Sequence, residues 1–118
     1  MKRFGLKSKI HRAVVTKVDV DYEGSLSLDE DLLKAADLLP HERVEVYNVS
    51  NGERFSTYLI REEKGSREVG VFGAAGHRAK TGDRLIIASY AVFHGNELES
   101  HRPKVVLVDE ENAIKDIR

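Results

Sequence analysis

The sequence has no cysteine and no tryptophan, and its 19 basic and 20 acidic residues leave a net charge of -1. Without cysteine the chain forms no disulfide, offers no thiolate nucleophile and lacks the usual ligands of a structural zinc site. A nearly neutral chain has no overall field that attracts nucleic acid or an anionic membrane. Both are therefore disfavoured as partners.

Long apolar segments are also missing. No run approaches a membrane span, and the basic start at residues 1–7 is not followed by an apolar stretch of signal length. Together with the lack of cysteine, this favours a cytoplasmic protein. At 118 residues the chain is expected to be a single domain, residues 1–118, small enough to share an active site between subunits.

Alternating apolar residues predict a mostly β protein. One strand is expected from Ile10 to Val18, with Lys9 and His11 side by side on one face. A later run, 84–93, is the longest apolar stretch and is expected to be a central strand buried on both faces. Further strands are predicted at 68–72, at 104–108 and, more weakly, at 113–117.

The clearest hairpin lies around Asn51-Gly52, a turn signal between predicted strands at 43–49 and 53–60. Period two along the second strand places Arg54 and Tyr58 on one face and Thr57 on the other. Arg54 and Tyr58 are therefore expected to point in the same direction.

A short helix is predicted after Ser25. Ser27-Leu28-Asp29-Glu30 matches a capping box, and apolar residues then recur at helical spacing until Pro40. These apolar residues are Leu32, Leu33, Ala36 and Leu39.

The Gly24-Ser25 peptide lies where the strand-like pattern changes to the helix-like one. From these two residues alone a turn and a helix cap are favoured. A hydrolase triad would need long-range partners for Ser25, because no His-Asp pair lies near it in sequence. The serine hydroxyl can also attack the carbonyl group before it, giving an ester in place of the amide, and a donor near that oxygen would stabilise the tetrahedral intermediate.

The stretch from Gly73 to Gly76 reads Gly-Ala-Ala-Gly and has almost no side chains. Such a row lets a ligand approach the main chain, and a plain tight turn would use the same residues. The two interpretations stay open at this point.

No metal site is predicted. Three carboxylates alternate at Asp19, Asp21 and Glu23, a pattern more typical of a solvated strand end than of a calcium site. The histidines at loop-like positions have no ligand spacing around them and are interpreted as surface residues. They are His41, His77 and His94.

Five motifs between about Lys7 and Phe93 resemble the aspartate 1-decarboxylases, the pyruvoyl enzymes that make β-alanine. They are Lys9-Ile10-His11-Arg12, Asp21-Tyr22-Glu23-Gly24-Ser25, the stretch from Asn51 to Tyr58, Gly73-Ala74-Ala75 and Gly82-Asp83.

The resemblance implies a six-stranded double-psi β-barrel with short helices, assembled as a homotetramer with active sites between neighbours. It also implies that the chain cleaves itself between Gly24 and Ser25, into chains 1–24 and 25–118. Elimination from the ester and hydrolysis would convert Ser25 into a pyruvoyl group. The residues matched to processing are Gly24, Ser25, Thr57, Tyr22 and His11.

In that family the pyruvoyl group forms a Schiff base with L-aspartate and replaces pyridoxal phosphate, without a metal. The products, β-alanine and carbon dioxide, connect the reaction to pantothenate biosynthesis. Tyr58 matches the proton donor, Arg54 is the better anchor for a substrate carboxylate, and Lys9 is the second candidate. The matched substrate-binding positions are Arg54, Lys9, Thr57, Gly73, Ala74 and Ala75.

Two positions raise questions about the resemblance. Thr57 should face away from Tyr58. Either a bulge turns its side chain towards the same face as Tyr58, or Thr57 reaches a site at a subunit boundary. Phe72 stands where the family commonly has asparagine, so either the backbone of Gly73 to Ala75 orients the substrate or processing and activity are altered. A barrel that never matures and a pyruvoyl decarboxylase of another amino acid are therefore the alternatives, and the need for a maturation helper stays open.

Overall fold

The computed structural model describes residues 1–23 and 25–118, and this part of the chain is mostly β, as predicted. The described strands are β1 (Lys2–Val14), β2 (Lys17–Asp19), β3 (Leu26–Asp29), β4 (Arg43–Asn48), β5 (Arg54–Glu62), β6 (Val69–Phe72), β7 (Arg84–His94), β8 (Lys104–Val108) and β9 (Ile114–Ile117). The described helices are α1 (Glu30–Ala35), a 3₁₀-helix (Gly73–Arg78) and α2 (Glu97–Ser100). None of these helices is long and apolar enough to span a membrane.

The nine described strands form one sheet in the order β2-β6-β3-β5-β4-β7-β1-β8-β9. Three of its pairs are parallel, β1 with β8, β2 with β6 and β3 with β5, and the other pairs are antiparallel. The six-stranded double-psi arrangement stays a prediction, because these nine strands belong to a single sheet.

The first strand differs from the prediction of one strand at 10–18. β1 already begins at Lys2, and a bulge with Arg12 at φ 69° lets Ile10 and Ala13 both be fully buried. After Val14 the chain no longer pairs with β7, and the Thr16 N–H donates to the carbonyl of Val69 in β6. Val18 therefore belongs to a separate strand, β2.

The helix after Ser25 is shorter than predicted, and its cap is a different residue. Ser27 lies within β3, and Asp29 is the N-cap, with its carboxylate accepting from the Asp31 N–H. The helix ends at Ala35, well before Pro40, and Leu39 is 68% exposed. The helical spacing predicts that Leu39 is buried, but the helix ends before this residue. Leu38 packs in the core instead.

The hairpin at Asn51-Gly52 is confirmed, with β4 and β5 paired from Arg43 to Tyr47. The strand β7 is central, between β4 and β1, as predicted. Its second face is buried only in part, because Ala88 is 1% exposed there whereas Tyr90 and Val92 on the same face are 44% and 45% exposed. The apolar run contains residues that stay at the surface of this chain.

The core packs the inner sides of these strands against α1. Its largest fully buried side chains come from seven elements and the loop after β1: Ile10, Val15, Leu26, Leu28, Leu32, Val44, Val46, Leu59, Val69, Val71, Leu85 and Ile87. This packing fixes β3, β5 and β6 side by side and thereby sets the surroundings of Ser25.

Candidate active site

Ser25 lies at a cavity of about 260 Å³, here called the Ser25 cavity. It comes just before β3, and its carbonyl accepts a 2.7 Å hydrogen bond from the Phe72 N–H at the end of β6. The described lining consists of Ser25, Phe55, Ser56, Thr57, Ala74, Ala75 and Arg78. Gly24, the other residue of the predicted cleavage bond, lies outside the described residues.

Thr57 lines the Ser25 cavity from the inner face of β5. It pairs with Val44 in an uninterrupted register, so the bulge considered from the sequence is wrong. Thr57 is only 9% exposed, and its hydroxyl is buried without a hydrogen-bond partner among the described residues. A buried hydroxyl of this kind is available to a group placed in the cavity.

The small residues after β6 form a 3₁₀-helix, Gly73–Arg78. Gly73 has φ 65°, a left-handed conformation that favours glycine, and it starts this turn. Ala74 and Ala75 line the Ser25 cavity, where their methyl groups leave room for another group. The tight-turn interpretation is confirmed, and the approach of a ligand to this main chain stays a prediction.

Tyr58 lies on the opposite face of β5 from Thr57, as the alternation predicted, and is 43% exposed. It pairs with Arg43 of β4. A shallow depression of about 390 Å³ joins Tyr58 and Arg43 to Thr57 and Ser56. The depression and the Ser25 cavity share Ser56 and Thr57, so they are adjacent.

Arg54 stacks on the ring of Tyr47, with 4.3 Å between its guanidinium carbon and the ring centroid. The Tyr47 hydroxyl is in turn 2.8 Å from the Tyr90 hydroxyl on β7. This hydrogen bond, followed by burial, raises the pKa of Tyr47 to about 12. Tyr47 is therefore uncharged at neutral pH and gives Arg54 a flat surface at a fixed position.

Lys9 and His11 lie on the same face of β1, as predicted, and are partly buried. Burial, followed by repulsion from Lys9 and Arg12, lowers the pKa of His11 below its ordinary value of 6.5. Its Nδ1 atom is buried and has no hydrogen-bond partner in the described part of the chain. His11 is thus a neutral polar group at physiological pH.

Strand register aligns these side chains in rows across β5, β4, β7 and β1. Arg54 pairs with Tyr47, Tyr47 with Ile86, and Ile86 with His11. In the next row Ser56, Glu45, Ala88 and Lys9 are neighbours in that order. We call the surface formed by these eight residues and Tyr58 the outer sheet face.

The outer sheet face does not bring its cations to one point. Three strand spacings separate Arg54 from His11, a Cα separation of about 14 Å. Arg54, Lys9 and His11 are also absent from the described lining of the Ser25 cavity. In one chain the structure therefore brings Ser25, Thr57, Ala74 and Ala75 together and leaves the predicted cationic residues elsewhere.

Phe72, the departure from the family pattern, is 5% exposed and packs against Tyr22, with ring centroids 4.8 Å apart. Its N–H holds the Ser25 carbonyl. Phe72 therefore contacts the chain on both sides of Gly24.

The comparison with protein families settles which group the chain belongs to. The family described as Aspartate decarboxylase matches residues 1–115. The chain belongs to the aspartate decarboxylase family. The resemblance noted in its motifs is thereby confirmed.

Curated relatives match along nearly their whole length. The aspartate 1-decarboxylase of Ralstonia pickettii (strain 12J) is 54% identical over 118 residues, which is 100% of this chain and 98% of the relative. That of Cupriavidus necator (strain H16) is 52% identical with the same coverage. That of Syntrophus aciditrophicus (strain SB) is 53% identical over 115 residues, covering 98% of this chain and 99% of its own.

For this member of the aspartate decarboxylase family, sequence reasoning missed three residues beside the site. Arg78, at the end of the 3₁₀-helix, lines the Ser25 cavity and forms a 2.6 Å ion pair with Glu53, just before β5. Tyr47 and Tyr90 support Arg54. The period-two pattern of β4 does place Tyr47 with Glu45 on one face, but the contacts with Arg54 and Tyr90 depend on strand pairing that the sequence does not show.

In residues 1–23 and 25–118, no group of three or more histidine, aspartate and glutamate side chains is placed so that it could hold a metal ion. Asp19 instead accepts a hydrogen bond from the Asp21 N–H in a turn. His41, His77 and His94 are exposed, which confirms their interpretation as surface residues.

Proposed function

We propose that this chain is a pyruvoyl-dependent aspartate 1-decarboxylase that converts L-aspartate to β-alanine and carbon dioxide for pantothenate biosynthesis. The observation that carries the proposal is the position of Ser25 beside the buried, unpartnered hydroxyl of Thr57. Relatives named aspartate 1-decarboxylase, at least 52% identical over almost the full length, support the choice of substrate.

The first step is self-cleavage between Gly24 and Ser25, which gives chains 1–24 and 25–118. The Ser25 Oγ attacks the Gly24 carbonyl carbon, its proton passes to the departing Ser25 nitrogen as the peptide C–N bond breaks, and an ester forms in place of the amide. Loss of the Ser25 Cα proton and cleavage of the ester Cβ–O bond then release the Gly24 carboxylate, and hydrolysis of the resulting dehydroalanine gives the pyruvoyl group and ammonia. Thr57 is the residue whose hydroxyl can donate to the oxygen that gains charge during this attack. Tyr22 and His11 are the other proposed processing residues.

A pyruvoyl group derived from Ser25 fits the cavity, because Thr57 offers a free donor and Ala74 and Ala75 leave space. When present, it supplies a ketone that takes up the aspartate amine and an electron sink for the pair released with carbon dioxide. Gly73, Ala74 and Ala75 let the substrate approach the backbone. Neither a metal nor pyridoxal phosphate is part of this proposal.

Tyr58 is the proposed proton donor to the carbon that loses its carboxylate. Its ring belongs to the depression that adjoins the Ser25 cavity through Thr57. Tyr58 is also 43% exposed, which leaves room for a substrate or a second subunit to cover it. Donation from a phenol within hydrogen-bond reach is ordinary general acid catalysis.

Arg54 and Lys9 are the proposed anchors of the two aspartate carboxylates, with Arg54 suited to a bidentate contact. Both lie on the outer sheet face, so we propose that this face of one copy covers the Ser25 cavity of another. Exposed Phe4, Tyr90 and Val92 add apolar surface to the same strands and support association. The proposed assembly is a homotetramer of six-stranded double-psi barrels.

Two experiments test this proposal. The intact mass of the purified protein should show two fragments, and the larger should lack an amino-terminal amine, whereas Ser25→Ala should remain one chain. A wild-type chain that stays whole, before and after incubation with extract of its host, would establish the non-maturing alternative. Maturation only in extract would instead identify a helper requirement.

Substrate choice is tested by the release of carbon dioxide from L-aspartate and from L-glutamate by the processed protein. Aspartate should be the preferred substrate, with β-alanine as its product. Exclusive turnover of glutamate would favour a pyruvoyl decarboxylase of another amino acid. A cytoplasmic location stays a prediction from the cysteine-free sequence and is tested by cell fractionation.

A further inference from the structure

We infer that Phe72 is a positioning residue for the self-cleavage step, because it restrains the chain on both sides of Gly24. The inference rests on the proposed cleavage between Gly24 and Ser25. It concerns the residue at which this chain departs from the family's asparagine, and it assigns the aromatic ring a task that an amide side chain would not perform.

On the C-terminal side of Gly24, the backbone of Phe72 forms a hydrogen bond with Ser25. The Phe72 N–H donates a 2.7 Å hydrogen bond to the Ser25 carbonyl, next to the pairing of Leu26 with Val71. This bond continues the β3–β6 ladder by one residue. Ser25 is therefore fixed at its carbonyl, and the residue lines the cavity.

On the N-terminal side of Gly24, the ring of Phe72 packs against the ring of Tyr22. The two ring centroids are 4.8 Å apart and the planes are tilted by 55°, a favourable aromatic arrangement. Tyr22 is 54% exposed, so this contact restrains a side chain that has more than half of its surface in solvent. The loop before the cleavage bond thereby gains a fixed point on β6.

The ring of Phe72 is itself held in place. Gly70 makes room for it, since a Cβ atom at Gly70 would lie 2.6 Å from the Phe72 Cζ. The Lys17 ammonium lies 5.5 Å from the ring centroid and forms ion pairs of 2.9 Å with Glu62 and 2.6 Å with Glu68. Phe72 is therefore 5% exposed and can act as an anchor.

Restraint of both neighbours matters because intramolecular attack depends on orientation. The Ser25 hydroxyl must approach the preceding carbonyl carbon, and each freely rotating neighbour lowers the fraction of time spent in that geometry. An asparagine at position 72 could keep the backbone hydrogen bond to Ser25. It would lose the ring contact with Tyr22 and the cation–π contact with Lys17.

The test measures the rate of cleavage of newly synthesised full-length chain by intact mass, together with the thermal midpoint. Phe72→Leu, which removes the ring, and Tyr22→Leu, which removes its partner, should each lengthen the cleavage half-time by about two- to tenfold. The double variant should be no slower than the slower single variant. Phe72→Tyr and Tyr22→Phe, which keep both rings, should restore nearly the wild-type rate.

A matched control is Phe93→Leu, which removes a similar tilted pair, that of Phe93 with His101 at 4.5 Å, far along the chain from Gly24. It should leave the cleavage rate unchanged even if the thermal midpoint falls. If Phe72→Leu fails to fold, the exposed Tyr22 still provides the test through its own variants.

Several outcomes would overturn the inference. The first is a wild-type cleavage rate in Phe72→Leu or Tyr22→Leu. The second is a double variant whose slowing equals the product of the two single effects. The third is a Tyr22→Phe variant as slow as Tyr22→Leu, which would assign the effect to the hydroxyl. A wild-type chain that never cleaves would instead overturn the proposed function itself, so the two failures are distinguishable.

Discussion

The two faces of strand β5 carry different chemistry. On the inner face Thr57 is 9% exposed and borders the Ser25 cavity with Ala74 and Ala75. On the outer face Arg54 and Tyr58 are exposed and share a sheet with charged residues of β4 and β1. The inner side suits a reaction of the backbone with itself, and the outer side suits binding of an anionic molecule.

In the proposed function, this difference separates most of the maturation residues from the substrate anchors. Thr57 lines the cavity with Ser25 within one chain, whereas Arg54, Lys9 and the proposed processing residue His11 lie on the outer sheet face, outside the described lining of that cavity. Substitution of Thr57 should therefore alter cleavage, and substitution of Arg54 or Lys9 should alter the KM for aspartate. The predictions below run from the largest expected effect to the smallest.

Thr57→Val removes the only inner-face hydroxyl of β5 and should slow cleavage by about 100-fold, as loss of an oxyanion donor does. The valine keeps the shape of the side chain, so the fold should persist. The fraction of uncut chain, measured by intact mass over time, checks this. Thr81→Val, the same substitution at an exposed turn position outside the described lining of the Ser25 cavity, serves as the control. Equal cleavage in Thr57→Val and wild type would contradict the role of Thr57.

Arg54→Met should cleave normally and raise the KM for aspartate by about 10- to 100-fold, because a charge-assisted bidentate contact is lost. Steady-state kinetics on processed protein measure the change. Arg61→Met, at the other end of β5, removes an exposed arginine that contacts Glu30 at 3.6 Å. It should leave the KM unchanged, and an equal effect of both variants would show a general loss of positive charge.

Tyr90→Phe should raise the KM by about two- to fivefold, since Tyr47 loses the hydrogen bond that fixes it beneath Arg54. It should also lower the pKa of Tyr47 from about 12 towards its ordinary value, because that bond is the largest cause of the rise. Spectrophotometric titration follows the pKa. A Tyr47 pKa that stays the same after the contribution of Tyr90 itself is subtracted would mean that the two hydroxyl groups are not bonded in solution.

The smallest expected effect is that of His11→Gln on the pH dependence of stability, measured in the uncleaved Ser25→Ala chain so that the proposed role of His11 in processing does not enter. The pKa of His11 is lowered in the folded state, so below about pH 6.5 the unfolded chain binds more protons and stability falls as the pH falls. Glutamine removes this loss. The decrease in thermal midpoint from pH 7.5 to pH 5.5 should be smaller in the variant, and a larger decrease would contradict the lowered pKa.

Local sequence signals predicted the parts of the fold that depend on near neighbours. The Asn51-Gly52 turn and the alternation of Arg54, Thr57 and Tyr58 are confirmed because a hairpin is specified by its turn and its period. The spacing of Ser27 to Glu30 predicts a helix cap at Ser27, which is wrong. Ser27 is in a strand because it pairs with Ile60 of β5 and Gly70 of β6, both more than 30 positions away.

In the candidate site, too, motifs in the sequence predicted some residues, and other contacts depend on strands that are distant in sequence. Ser25, Thr57 and Ala74 were found through the family motifs, and the structure brings them together. The support of Arg54 by Tyr47 and Tyr90 needed the strand order β5-β4-β7, which links distant segments. Likewise, the packing of Phe72 on Tyr22 joins β6 to the loop after β2, and no local pattern indicates it.

The central claim is that one copy supplies Ser25 and another supplies Arg54. It is tested by co-expressing the inactive Ser25→Ala chain with the weakened Arg54→Met chain and measuring the decarboxylation of aspartate at a concentration below the KM of Arg54→Met. The account predicts that mixed assemblies recover up to about a quarter of wild-type activity, because random pairing joins an intact Ser25 to an intact Arg54 at that share of the sites. Activity no higher than that of Arg54→Met alone would contradict it and place both residues in one chain's site.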